Sequence, residues 1–231
     1  MRLVLLPGLD GTGLLFEPLC RALSSAVQTT ILDYPRGRET SYDELAAQIG
    51  PKLPTAEPFM LLGESYGGPL SLKLAAQEPA GLCGLILSAS FITSPHSYIP
   101  KWAAPMLIPA MVYSTPLFSS LTTLLGAHST NEIQSLVEKS VASVDPAVLG
   151  SRMKAAVSVD VTKELLACPV PILYIQATQD YVVPANNLTE IQQVRPDVRA
   201  VQIEGAHMVL LTRAKAAAGA IESFAMERAE N

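Results

Sequence analysis

The chain is poor in cysteine, in charge and in histidine. Three cysteines in 231 residues, Cys20, Cys83 and Cys168, are widely spaced and odd in number, with no Cys-x-x-Cys pair. That spacing excludes a disulfide framework and a cysteine zinc site. Reduced structural thiols in a cytoplasmic protein are expected, with Cys83 and Cys168 buried beside apolar runs. Charged residues are only 16% of the chain and the net charge is -5. A nucleic-acid partner is excluded, because such proteins carry a basic footprint. No apolar stretch is long enough to span a bilayer without interruption. The nearest, Trp102 to Leu125, is broken by Pro105, Pro109 and Pro116. The apolar run that opens the chain is too short for a secretory leader and flows straight into Pro7-Gly8. No Gly-Lys-Ser/Thr follows the first glycine loop and no Gly-x-Gly-x-x-Gly occurs, so neither nucleotide fingerprint is met. There is no internal repeat and no low-complexity tract.

What the chain does have is apolar substance, 49% of its residues, enough for one sizeable core. Short apolar runs alternate with helical patterns. Strands are expected at Leu3 to Leu6, Thr29 to Leu32, Phe59 to Leu62, Leu82 to Leu87, Ile172 to Ile175 and Arg199 to Ile203. Between them, helical spacing occurs at Phe16, Leu19 and Leu23, from Tyr42 to Lys52, and from Pro69 to Glu78, before Pro79. Further helices are expected from Pro184 to Val194, with Pro184 in the first turn, and from Val209 to Met226. This alternation predicts an α/β fold, a mostly parallel sheet of about six strands with helices on both faces.

The rhythm breaks between Thr93 and Val161. Proline-punctuated apolar segments run from Trp102 to Phe118, and helical stretches follow near Ile133 to Val144 and Ala147 to Val157. Lys101 is the only formal charge between Ser94 and Asn131. A helical cap is expected over residues 93–161, inserted into a core made of residues 1–92 and 162–231. Packing between these helices accounts for most of the apolar residues, and a hydrophobic roof over a ligand pocket is the added expectation.

Gly63-Glu64-Ser65-Tyr66-Gly67 sits where an apolar run gives way to a helical pattern. Strand, Gly-x-Ser-x-Gly, helix is the order of a nucleophile elbow. The strand must turn sharply and push one side chain out at a strained apex, and the glycines let neighbouring backbone approach. Ser65 then lies beside a helix N-terminus, which favours a developing anion. A serine nucleophile needs a base, a group that orients the base, and donors for the oxyanion. Of the three histidines, His96 and His128 fall in the insertion, and only His207 ends a strand. Asp180 follows the strand before that one. Asp160 competes as the acid but reads as the start of a short helix. The loop Pro7 to Gly13 offers backbone N–H groups for an anion. Leu9 in that loop, with Tyr66 directly after the serine, is the expected oxyanion pair.

With Pro7-Gly8-Leu9, Gly-Glu-Ser-Tyr-Gly-Gly at 63–68, Gln179 to Pro184, and Gly205-Ala206-His207, the chain resembles the α/β-hydrolase family over nearly its whole length. The resemblance implies Ser65 as nucleophile, Asp180 as acid and His207 as base, in the family's chain order. It also implies a family-type cap after the strand that follows the elbow helix. Pro7-Gly8 stands where most relatives have His-Gly, which bears on loop shape and substrate preference. The two strands usual ahead of Leu3 are absent, so a reduced sheet is expected. Gly-Glu-Ser-Tyr also resembles the elbow of serine carboxypeptidases, which are larger, secreted and disulfide-bonded. A serine at the apex argues against the dehalogenase and epoxide-hydrolase branches, which place aspartate there. The expectation is a serine esterase acting on small or medium acyl esters, with no cofactor and no metal. The alternatives are a thioesterase, acyltransferase or C–C hydrolase, and a hydrolase-fold ligand receptor with little turnover. Lys101, Lys139, Arg152 and Lys154 are too scattered to mark a carrier-protein patch.

Overall fold

The computed structural model of the chain describes residues 1–96, 124–126 and 129–229. The Trp102 to Phe118 segment, Lys101 and His128 lie outside these residues. Six strands form one parallel sheet: β1 (Arg2–Leu6), β2 (Gln28–Ile31), β3 (Phe59–Glu64), β4 (Leu82–Ser88), β5 (Ile172–Ala177) and β6 (Arg199–Ile203). Their spatial order is β2-β1-β3-β4-β5-β6, with every adjacent pair parallel. The expected fold class is thus the observed one.

The helices are α1 (Glu17–Ala22), α2 (Tyr42–Ile49), α3 (Gly67–Ala75), α4 (Asn131–Ala142), α5 (Pro146–Ser158), α6 (Thr162–Ala167), α7 (Asn186–Val194), α8 (Val209–Thr212) and α9 (Ala214–Ala229). The central strands are mostly apolar, with polar residues only toward their ends, because both sheet faces are covered. Val4, Leu6, Phe59, Leu61, Ile172 and Tyr174 pack with residues of α2, α3, α6 and α7 on one face. Leu3, Leu5, Met60, Leu62, Leu173 and Ile175 pack with α1, α8 and α9 on the other. Each such side chain contributes about 2 kcal/mol of burial free energy. The edge strands β2 and β6 are mostly exposed and are more polar, which blunts edge-to-edge pairing.

Several helix bounds differ from expectation for local physical reasons. The pattern from Tyr42 to Lys52 is α2, capped by a reciprocal Ser41–Glu44 box, followed by a tighter turn at Gly50–Lys52. Pro51 lacks the N–H needed to continue the α-helix. The elbow helix closes at Ala75, and Glu78 ahead of Pro79 takes a left-handed φ of 52°. Pro184 precedes α7 and accepts from the Asn187 N–H instead of sitting in the first turn. The closing helix is two, divided at Arg213, which leaves helical geometry while its Nε donates to the Glu204 carbonyl. Cys168 is buried as expected, but Cys83 is only half-buried near the N-terminus of β4.

Among the described residues between β4 and β5 there are helices and no strand. Thr130 caps α4, and Asp145 caps α5 ahead of Pro146. No helix among the described residues is long and apolar enough to cross a membrane.

The chain leaves β1 toward β2, then crosses back to β3 on the other side of β1. Such a reversal opens a crevice at the carboxyl ends of β1 and β3. The Pro7 to Gly13 loop and the turn at Ser65 both lie at that crevice.

Candidate active site

β3 ends at Glu64 and α3 begins at Gly67, leaving Ser65 and Tyr66 to reverse the chain. Ser65 adopts φ 50°, in the left-handed region that costs a residue with a Cβ about 1–3 kcal/mol. Backbone bonds on both sides impose it. The Ser65 N–H donates to the Ser88 carbonyl at 2.9 Å, and the Ser65 carbonyl accepts from the Gly68 N–H at 3.0 Å and from Ser90 Oγ at 2.8 Å. The glycines are required by close approach. A Cβ on Gly63 would lie 2.4 Å from the Gly67 carbonyl oxygen, and one on Gly67 would lie 2.4 Å from that of Leu6.

Three chain-distant side chains meet here. His207 Nε2 lies 3.0 Å from Ser65 Oγ, and His207 Nδ1 lies 2.8 Å from Asp180 Oδ2. Asp180 follows β5, and its Oδ1 accepts from the Val182 and Val183 N–H groups at 2.8 Å each. These bonds orient the carboxylate toward the ring. The loop after β5 is tied to the loop after β6 by the Gln179 N–H donating to the Gly205 carbonyl at 2.9 Å. Burial, the largest influence on His207, disfavours its charged form. The Asp180 carboxylate, by charge and by hydrogen bond, and then Glu64, outweigh burial, so the ring sits above its ordinary 6.5.

The Pro7 to Gly13 loop lies against the serine, for a Cβ on Gly8 would stand 3.8 Å from Ser65 Cβ. The Leu9 and Tyr66 N–H groups make no hydrogen bond among the described residues. The Tyr66 ring is buried and stacks on Tyr42 with centroids 4.5 Å apart, and Tyr42 Oη donates to the Tyr66 carbonyl.

Two other sequence candidates lie among the described residues. Asp160 accepts from the Thr162 N–H at 3.1 Å at the start of α6, as its helix-start reading expects. His96 is half-buried, and burial holds it below its ordinary value against the opposing pull of Asp180. Glu64, unremarked in the sequence except as the elbow's variable residue, is buried beneath the site. Burial first, with nearby Asp10 adding and His207 opposing, lifts its carboxyl to about 7. Arg152, which reads from the sequence as a scattered cap charge, is fully buried and reaches the Leu9 and Asp10 carbonyls from α5. A lone arginine on a helix carries no local mark of such burial.

This sheet, with a strand–serine–helix turn at its topological reversal, is that of an α/β-hydrolase. The chain belongs to that family: the family model described as "Serine aminopeptidase, S33" (Hydrolase_4) matches residues 40–210, and the chain is an esterase-like member. It is 28% identical over 246 residues to a pimeloyl-[acyl-carrier protein] methyl ester esterase of Xanthomonas oryzae pv. oryzae, covering 96% of this chain and 94% of that protein. It is 27% identical over 247 residues to the polyketide synthase ThaQ of Burkholderia thailandensis, covering 96% of this chain but only 12% of the synthase. Among solved structures, the bromoperoxidase from Bacillus anthracis superposes with a TM-score of 0.83 at 18% identity, covering 97% of this chain and 91% of that one, a likeness of fold.

Proposed function

We propose that the chain is a serine carboxylesterase that hydrolyses small or medium acyl esters through an acyl-enzyme. The observation that carries this reading is the hydrogen-bonded line from Ser65 Oγ through His207 to Asp180. His207 takes the Ser65 proton as Oγ attacks the acyl carbon, and the Leu9 and Tyr66 N–H groups hold the oxyanion. The ester C–O bond breaks and His207 gives its proton to the departing alcohol. Water, deprotonated by His207, then attacks the acyl-enzyme, and Ser65 leaves with the proton as the acid is released. Asp180 holds the neutral ring with its proton on Nδ1 and stabilises the imidazolium. α4 and α5, described helices between β4 and β5, belong in this reading to the expected cap, and 1–92 with 162–231 to the hydrolase core. No step calls for a metal or a cofactor.

The test is hydrolysis of p-nitrophenyl esters from acetate to palmitate, with Ser65→Ala beside the parent. Saturable activity that disappears in the mutant is the expected result, and the chain-length optimum sizes the pocket. A folded parent with no activity on any ester overturns the reading.

The pimeloyl-[acyl-carrier protein] methyl ester esterase relative favours one second reading, that the acyl group arrives on a carrier protein, as an ester or thioester. Assaying the same acyl group as a free methyl ester, as a carrier-linked methyl ester and as a carrier thioester separates the two readings. A preference of at least about tenfold in kcat/KM for a carrier-linked form would replace the small-ester proposal.

A further inference from the structure

Between Pro7 and Gly11 every backbone carbonyl of the first glycine loop has a partner. The Pro7 carbonyl accepts from Tyr34 Oη at 2.9 Å, that of Gly8 from the Gly11 N–H at 3.1 Å, and that of Gly11 from the Tyr34 N–H at 2.8 Å. The two in the middle are held by one side chain: Arg152 Nη1 donates to the Leu9 carbonyl at 2.8 Å and to the Asp10 carbonyl at 2.7 Å. Its Nη2 donates to the Pro35 carbonyl at 2.7 Å, and the guanidinium lies 5.4 Å from the Tyr34 ring centroid.

The arrangement is unusual for a cation. Arg152 has no exposure to solvent, and among the described residues its hydrogen-bond acceptors are carbonyls, not carboxylates, with Nε left unbonded. The nearby Asp10 carboxylate is instead bonded by the Thr12 N–H at 2.9 Å and by Ser140 Oγ at 2.8 Å. Burying a guanidinium without an ion pair is costly, and three charge-assisted bonds to carbonyls offset that cost. The loop needs such a clamp. Gly8 and Gly11 flank Leu9 and Asp10, so local backbone preference holds these peptide planes weakly. The Gly8–Leu9 plane, which carries the Leu9 N–H, is closed by the Gly11 N–H on the Gly8 carbonyl, and Arg152 fixes the two peptide planes that follow, so the turn that presents the Leu9 N–H cannot flip its central peptides. The clamp closes around this geometry: a Cβ on Gly11 would lie 2.6 Å from Arg152 Nη1.

We propose that Arg152 is a positioning residue for the oxyanion hole, reaching from α5 to hold the Leu9 and Asp10 carbonyls away from Ser65 so that the Leu9 N–H faces the site. This rests on the serine-esterase reading above. It ties α4 and α5 to the site's geometry: α5 clamps the loop through Arg152, and α4 clamps it through Ser140. A lysine cannot replace the fork, because one ammonium cannot reach three carbonyls that the guanidinium's two terminal nitrogens span.

The test compares Arg152→Met and Arg152→Lys with the parent, using p-nitrophenyl butyrate, an alkyl trifluoromethyl ketone, a fluorophosphonate probe and thermal unfolding. The ketone forms a hemiketal with the serine whose oxyanion occupies the hole. In Arg152→Met, kcat falls roughly 100-fold, KM stays within about threefold and ketone affinity falls roughly in step with kcat. The acid limb of the pH profile does not move, because His207 keeps its partners. Arg152→Lys recovers no more than about a tenth of the lost rate. A folded Arg152→Met with kcat within about fivefold of the parent, or with its loss confined to KM, overturns the proposal. If the methionine variant does not fold, the lysine variant decides by the same split. If the parent hydrolyses no ester but still labels with the fluorophosphonate, the esterase reading falls on its own. The inference then stands on a labelling rate at least about tenfold slower in the variant and falls on an equal one. A parent that neither hydrolyses nor labels overturns both.

Discussion

Ser90 Oγ donates a 2.8 Å hydrogen bond to the carbonyl of Ser65, and the same hydroxyl occupies the space a side chain at Gly68 would need. A Cβ on Gly68 would fall 1.7 Å from Ser90 Oγ and 2.7 Å from Ser90 Cβ. Ser90 is itself immobilised, its N–H accepted by Tyr174 Oη and its carbonyl bonded by that hydroxyl at 2.7 Å. The serine at the apex is thus held by Ser90, just after β4, and through it by Tyr174 of β5.

Gly68→Ala is therefore expected to cost at least about 2 kcal/mol by overpacking, and to lower esterase activity by displacing the Ser65 carbonyl. Ser90→Gly alone loses only the bond. The double variant relieves both contacts and recovers most of the stability lost in Gly68→Ala. Unfolding midpoints of the parent, the two single variants and the double variant decide it: strictly additive losses would show that the two sites do not share this space.

Asp180→Asn keeps the loop and spoils the ring. An asparagine Oδ1 still accepts from the Val182 and Val183 N–H groups, but the amide opposite His207 Nδ1 favours the wrong tautomer. The expected loss in kcat is roughly 10⁴-fold, with the melting temperature near that of the parent. Steady-state kinetics beside a thermal melt checks it, and a kcat within about tenfold of the parent would remove Asp180 from the proposed relay.

Glu64→Gln has two pH signatures. His207 must be neutral to act as a base, so activity rises with pH through its raised value, and the limb lies above 6.5. Removing the Glu64 anion, which helps to raise that value, moves the limb of kcat/KM to lower pH. The second signature is in stability. Glu64 titrates at about 7 in the fold against 4.5 ordinarily, so the native state binds the extra proton. The stability it contributes is present in full below 4.5 and is lost as pH rises through about 7. The glutamine variant, which never ionises, should gain roughly 2 kcal/mol over the parent between pH 5 and pH 8. Urea unfolding of both proteins at the two pH values measures it; a constant difference would mean that Glu64 is ionised throughout.

Much of this molecule could be read along the chain. The four inner strands show as apolar runs because both faces of the sheet are covered there, so burial leaves its mark on consecutive residues. The elbow shows because a strained apex and two close backbone approaches demand serine and glycine at set offsets. Asp180 and His207 show because both end strands of one parallel sheet, and parallel strands bring their ends to one edge. Helix ends were less legible. The division at Arg213 goes with a contact to Glu204 in another segment, and α3 closes early by tightening its last turn, where the Gln77 and Glu78 N–H groups donate to the Leu74 and Ala75 carbonyls.

The sequence by itself determined the sheet, the position of the elbow and which three side chains would meet at its edge, because each follows from local periodicity or from strand direction. Only the tertiary structure decided what surrounds them. The lifted carboxyl of Glu64 depends on burial by distant segments and on the charges of Asp10 and His207. The clamp on the Leu9 and Asp10 carbonyls depends on Arg152, more than a hundred residues away along the chain. Desolvation and hydrogen bonds between remote segments act through space, and nothing in the neighbouring residues records them.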